Sequence, residues 1–238
     1  MTALKEESRK GIAYCVGVGP GDPEYMTLKA VRLIRENEVI AVPGQVAEES
    51  VAYQIALGAV PELKDKELVA IDMPMVKDRE LIRKSHEAGA KLIESYLEAG
   101  RNVVYLTLGD STVYCTFSYL QHIMEADGYG VQLISGITSF CATAARLNMP
   151  LGEWNEIIHI IPAVHRTEEA LSWEGTCVMM KSASHMKEVK DQIRAAGREA
   201  GAVERCTMEG ERVYRSVDEI PDDAGYFSVI ISREKHQA

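Results

Sequence analysis

The chain has 238 residues, 46% hydrophobic and 26% charged, with a formal net charge of −10 at pH 7. That is enough apolar material for one or two buried cores, and no run approaches the ~20 apolar residues that span a bilayer. The acidic balance argues against nucleic acid as a partner, since such binders carry a basic face, but it leaves room for an anionic small molecule at a local basic cluster.

The opening MTALKEESRK is polar and charged, without the apolar stretch or cleavage pattern of a secretory leader, so a cytoplasmic location is expected. IAYCVGV (12–18) reads as a strand running into Gly17, Gly19 and Gly21. Met26, Ala30, Leu33 and Ile34 then recur at helical spacing. EVIAV is a second strand stopped by Pro43 and Gly44, AEESVAYQIAL a helix ending near Gly58, and ELVAID a strand stopped at Met73 and Pro74. A long amphipathic helix runs from about Asp78 to Ala99 and closes on Gly100. NVVYLTLGD is a buried strand emptying into a loop.

The turn cluster DGYG, Asp127 to Gly130, marks the middle of the chain. VQLIS, a helix from about Ile137 to Leu147, EIIHII, TCVMMK, a helix from His185 to Ala196, AVERCTM and YFSVIISR follow. A domain boundary is expected between Gly128 and Gly136, giving an N-terminal α/β domain over 1–128 and a mixed-sheet α/β domain over 129–238. Alternation in the first half predicts a parallel sheet covered by helices, with sites at the carboxyl ends of its strands. GVGPGDP and LGDS both fall at such ends. The five cysteines, Cys15, Cys115, Cys141, Cys177 and Cys206, form no C-x-x-C pair and read as reduced, mostly buried thiols. The histidines show no convergent spacing, and no metal site is expected.

A glycine loop between a strand and a helix usually announces a phosphate. Here Asp22 stands where a dinucleotide fingerprint needs its third glycine, and EVIAVPG offers no carboxylate for a ribose. Pro20 removes an amide that a phosphate would need, and Asp22 would repel one. No Gly-Lys-Ser/Thr follows, which removes the other phosphate loop. Three glycines in five residues still imply that something approaches this backbone closely.

The stretch VGVGPGDPEYMTLKAVRLIRENEVIAVPG, with LGDSTVYCTFSYLQHIMEADGYGVQLISGITSFCATAARLNMPL, resembles the tetrapyrrole (corrin/porphyrin) methylases over about Ile12 to Ile231. VYCTFSYL and ITSFCATAARL are most similar to the branch that methylates C20 of precorrin-2 or its cobalt form. The resemblance implies the class III S-adenosylmethionine methyltransferase fold: two α/β domains with a cleft between them, typically in a homodimer. It also implies S-adenosyl-L-methionine as methyl donor and S-adenosyl-L-homocysteine as product. The donor carries no phosphate, so the glycine loop need not be an anion nest.

For the cofactor, the resemblance implies the backbone of Leu108, Gly109 and Asp110, the apolar Val113, then Thr138 and Ser139, and a strand end at Met180 or Lys181. It implies Gly19, Pro20, Gly21 and Asp22 for the tetrapyrrole, with Tyr114 and Tyr119 either flanking the macrocycle or filling the core. Asp110 and Thr138 or Ser139 have a second reading as helix caps, and Met180 as core packing. Arg146, His165, Arg166 and Lys181 are candidate partners for the substrate's carboxylates, arginine being suited to bidentate capture, with solvated surface charge as the alternative. The catalytic base stays unassigned. Ser111 and Ser135 stand where the family usually has proline, which predicts a looser cofactor loop. Remaining alternatives are another tetrapyrrole position, uroporphyrinogen III, diphthine synthesis, a glycine-loop oxidoreductase, and a tetrapyrrole-binding module without turnover.

Overall fold

In a computed structural model that describes residues 10–162 and 166–234, the chain divides after Ile137 into two compact units. The first opens with β1 (Ile12–Gly17), α1 (Leu28–Glu36), β2 (Val39–Pro43), α2 (Val51–Ala59) and β3 (Glu67–Ile71). It continues with α3 (Arg79–Glu98), β4 (Val103–Thr107), α4 (Phe117–Ala126) and β5 (Gly130–Ile134). All five strands run parallel, in the order β3-β2-β4-β1-β5. The central strands are apolar on both faces, as a helix-covered parallel sheet requires. Thr27 and Asp78 cap α1 and α3 with side-chain oxygens, and Gly100 ends α3 at φ 75°.

The connections leaving β1 and β4 run in opposite directions along this sheet, one toward β3 and the other past β1 to β5. That reversal is where open α/β sheets place their ligands, outside the carboxyl ends of the strands.

The second unit holds α5 (Ser139–Leu147), β6 (Ile158–Pro162), α6 (Thr167–Leu171), β7 (Thr176–Met180), α7 (Met186–Ala195), β8 (Glu199–Glu204), β9 (Arg212–Tyr214) and β10 (Ser228–Arg233). Its sheet has the order β6-β7-β10-β8-β9, with β6 and β7 parallel and the other pairings antiparallel. The predicted mixed sheet is therefore present. One core packs Cys177, Met179 and Ile230 with Met186, Val189 and Ile193 of α7. A second packs Val203 and Ile231 with Ala142, Ala144 and Leu147 of α5.

The sequence boundary falls short of the division in the fold. VQLIS, assigned to the second domain, is β5, and it pairs with β1 from Ile12↔Gly130 to Val16↔Ile134. The turn at Asp127 to Gly130 joins α4 to the strand beside β1 within the first unit. AEESVAYQIAL also splits: Ala47–Glu49 is a short 3-10 turn and α2 starts at Val51. α5 starts at Ser139, two residues later than expected, because Thr138 caps it. The stretches forming α6 and β9 are not marked by the sequence reading, and α4 is anticipated only as the helix that follows Asp110.

Candidate functional site

At the carboxyl ends of β1 and β4 the two loops stay zipped together. The Val18 amide donates to the Thr107 carbonyl at 2.9 Å, Gly19 N–H to the Gly109 carbonyl at 3.1 Å, and Gly109 N–H to the Gly19 carbonyl at 2.8 Å. Both glycines are left-handed, φ 81° and 70°, where a side chain costs about 1–2 kcal/mol. A Cβ on Gly17 would lie 2.6 Å from the Gly109 carbonyl oxygen and 2.8 Å from the Gly136 amide nitrogen, and one on Gly136 would collide with the same carbonyl. The close neighbour that the glycine run predicted is thus the protein's own backbone, at Gly17 the ends of β4 and β5 and at Gly19 the Tyr25 backbone 3.1 Å away. A Cβ on Gly109 would meet only the Ile137 carbonyl, at 4.0 Å, so that side of the loop is open.

This alters the role expected for Gly109. Its amide donates to the Gly19 carbonyl and its carbonyl accepts from the Gly19 amide, so of the main-chain groups expected to meet the cofactor those of Gly109 are already paired. The Asp110 side chain, 7% exposed, accepts from the Gly136 amide at 2.8 Å and from the amide and hydroxyl of Thr112 at 2.8 and 2.5 Å. It ties the end of β5 to the loop after β4 and closes a local turn, rather than capping α4. Ser111 is 4% exposed and donates to the Ile134 carbonyl at 3.0 Å. The looseness expected of serine in place of proline is therefore countered by a buried bond to β5. Ser135 is exposed.

Val113 is half-buried beyond this clasp, and Tyr114, 43% exposed, holds φ 50°. Tyr119, 54% exposed, stacks on His86 with ring centroids 4.7 Å apart. Neither tyrosine fills the core. Pro20 is buried behind Gly19, Gly21 is half-buried, and Asp22 caps a short 3-10 turn by accepting from the Glu24 amide at 2.9 Å. Cys15 of β1 and Cys115, just before α4, meet with sulfurs 3.9 Å apart. Burial pushes the Cys15 thiol up, whereas hydrogen bonds with Cys15 and Thr107 and from the Phe117 amide hold Cys115 below the ordinary cysteine value.

In the second unit Thr138 caps α5, its hydroxyl oxygen accepting from the Cys141 amide at 3.4 Å and keeping its own proton to donate, and Ser139 is the first helical residue. Leu147 at the far end of α5 packs on Gly201, and Thr143 lies against Cys206 beyond the end of β8, so α5 runs antiparallel to that strand. Val203 pairs with Val229, and Val229 with Met180. The start of α5 and the end of β7 therefore share one end of this sheet, with half-buried Met180 and Lys181 there, Lys181 at φ 60°.

Arg166 is drawn elsewhere: it also holds a left-handed backbone, φ 62°, and its guanidinium forks onto Glu169 at 2.7 and 2.6 Å. Arg146 bonds Glu211 at 2.6 Å. His165 lies outside the described residues. Among the described residues no cluster of histidine, cysteine and carboxylates is arranged to hold a metal, and no helix is long and apolar enough to cross a membrane.

The sequence reading missed Gly136, Asp110's reach to it, and the thiol pair. Gly136 carried a signal, a glycine two residues past a strand end like Gly19 and Gly109. The contacts of Asp110 and of the thiols join positions 26 and 100 residues apart and left none.

The sequence model of the Tetrapyrrole (Corrin/Porphyrin) Methylases matches residues 13–220. A protein of Methanocaldococcus jannaschii named a probable cobalt-precorrin-2 C(20)-methyltransferase is 34% identical over 212 residues, 88% of this chain and 90% of its own. A precorrin-2 C(20)-methyltransferase of Sinorhizobium sp is 27% identical over 227 residues, 91% of this chain and 92% of its own. The solved structure of uroporphyrin-III C-methyltransferase from Thermus thermophilus complexed with S-adenosyl homocysteine superposes with a TM-score of 0.67 at 22% identity, covering 94% of this chain and 98% of that one.

Proposed function

We infer, because this chain belongs to the tetrapyrrole (corrin/porphyrin) methylase family, that it moves a methyl group from S-adenosyl-L-methionine to C20 of precorrin-2 or its cobalt form. The observation that carries the ring position is likeness along 88% of the chain, at 34% identity, to the probable C20 enzyme. The class III fold supports it through the reversal between β1 and β4, where Gly109 leaves open space beside the loop after β4.

Bound S-adenosyl-L-methionine supplies a methyl already activated as a sulfonium, so the chain's work is to align and to exclude water. On the first unit, Leu108 and Asp110 offer main-chain groups, Gly109 leaves room for close approach, and Val113 gives apolar contact. On the second, the Thr138 and Ser139 hydroxyls and Met180 with Lys181 offer the polar and apolar groups that an amino-acid end, a ribose and an adenine need. Gly19 to Asp22 and Tyr114 border the tetrapyrrole. Arg166 reaches a substrate carboxylate only by exchanging Glu169 for it, two bidentate partners of equal charge. A homodimer in the cytoplasm, free of nucleic acid, completes the reading.

The test is anaerobic incubation with precorrin-2, with and without cobalt, and methyl-labelled donor, followed by mass spectrometry and carbon NMR. One methyl gained at C20 establishes the reaction, and the preferred substrate form tells which relative this chain follows. Donor binding without any methyl gained on either form sinks the C20 reading and leaves another ring position or a binding protein.

A further inference from the structure

We propose that Cys15 and Cys115 form a thiol-oxidation site, in which Cys115 is attacked first by hydrogen peroxide and Cys15 then resolves it to a disulfide. The two residues are 100 positions apart, and the fold puts their sulfurs 3.9 Å from each other. They differ in the way the two steps require. Cys115 is half-buried, within reach of a small oxidant, whereas Cys15 is 0% exposed in the middle of β1.

Cys115 is surrounded by hydrogen-bonding groups. As a thiol it donates to the Thr107 hydroxyl oxygen at 3.3 Å and lies beside the Cys15 thiol, and the Phe117 amide at the start of α4 points to it. The Phe117 amide at the start of a ten-residue helix donates to it, and the Thr107 hydroxyl and Cys15 thiol can turn their protons to it once it ionises, which favours a thiolate. The Asp110 carboxylate opposes it, as does burial, and the net direction is still downward. The remaining titratable neighbour is Tyr105, whose hydroxyl burial pushes upward and keeps protonated.

The chemistry balances with peroxide as the only oxidant. The Cys115 thiolate takes one oxygen, giving a sulfenic acid after protonation and releasing water. The Cys15 sulfur then displaces that hydroxyl, its proton leaves with it as a second water, and the S–S bond forms. Two thiols and one peroxide become one disulfide and two waters.

A disulfide needs sulfurs ~2.05 Å apart, so one side must move. Cys15 is pinned between Tyr105 of β4 and Leu133 of β5, and the moving part is the loop from Asp110 to Thr116. Oxidation then displaces Val113 and Tyr114, and donor binding weakens. This consequence rests on the cofactor reading of that loop, but the oxidation itself does not.

The experiment treats the full chain with a small excess of hydrogen peroxide, alkylates it under denaturing conditions, and maps it by mass spectrometry. The expected product has two of the five thiols protected in a Cys15–Cys115 cross-link, formed before exposed Cys141 reacts. In Cys15→Ala the same treatment stops at a sulfenic acid on Cys115 that dimedone traps. Full retention of both thiols, or oxidation of Cys141 ahead of the pair, overturns the site. Because no substrate enters this readout, it is independent of methyl transfer. A cross-linked protein that binds S-adenosylhomocysteine as tightly as the reduced one overturns only the loop consequence.

Discussion

The two units hold their candidate residues by different means. In the first, the site is backbone against backbone: Gly17, Gly109 and Gly136 let three strand ends meet, and Asp110 and Ser111 fasten them. In the second, it is a helix cap beside a strand end, with Lys181 forced into a left-handed backbone where glycine would be the easier choice. A backbone-built site tolerates no added atom. A side-chain-built one tolerates changes of shape and depends on particular groups.

The contrast is broken most severely at Gly17. Alanine there puts a Cβ 2.6 Å from one backbone atom and 2.8 Å from another, and neither belongs to a flexible side chain. Gly17→Ala is expected to cost on the order of 3 kcal/mol in urea unfolding. Folded enzyme should lose about 100-fold in kcat/KM, as misplacement of a site by about an ångström does. Gly128→Ala is the complementary case: its φ is positive, 80°, but it has nothing within 4 Å, so only about 1 kcal/mol of backbone conformation is at stake. Equal losses at the two positions would mean that small backbone shifts relieve the crowding at Gly17, and that contact there costs no more than a left-handed backbone does at Gly128.

The next largest effect concerns Ser111. Ser111→Ala leaves the buried Ile134 carbonyl without its donor, a cost of about 1–2 kcal/mol, and it should raise KM for S-adenosylmethionine more than it lowers kcat. Ser111→Pro, the residue usual in the family, should recover that KM by stiffness in place of the hydrogen bond. If proline behaves like alanine, the hydroxyl itself is what this chain needs.

These two positions also mark what the sequence makes legible. Gly17 and Gly19 could be read because glycine at a strand end has few other uses, and the parallel sheet could be read because its strands are apolar on both faces. The identity of what approached Gly17 could not be read, because it comes from Gly109 and Gly136, 92 and 119 positions on. β5 was misplaced for a related reason: turn residues mark where a chain bends, not which sheet the next strand joins. Ser111 read as a loss because its partner, a backbone carbonyl, has no sequence signature. Lys181 at φ 60° is illegible in another way, since nothing in a lysine announces a left-handed conformation.

Lys181 therefore tests the second unit. Lys181→Gly relieves the left-handed backbone and should leave stability unchanged or raise it by about 1 kcal/mol. If the side chain meets the cofactor, KM for S-adenosylmethionine rises several-fold in the same variant while the thermal midpoint holds. An unchanged KM would reduce Lys181 to a turn position and leave Met180 as the strand-end contact.

The smallest expected effect lies outside both sites and separates their chemistry from the stability of the first unit. His86 of α3 is 9% exposed and stacks on Tyr119, and burial holds its pKa below the ordinary 6.5. The unfolded chain thus takes up this proton at a higher pH than the folded one. As pH falls through about 6.5 the unfolded state gains, and stability declines until the folded-state value is passed, after which this group contributes no further change. Exposed carboxylates such as Glu67 and Asp127, held low by Arg101 and Lys91, lose their contribution only at more acidic pH. Thermal midpoints of the parent and of His86→Phe should converge toward acid pH if Phe lowers stability at neutrality, the parent alone losing ground between about pH 7 and the folded-state value. Parallel curves would show that His86 titrates alike in both states, and that its stacking on Tyr119 survives protonation.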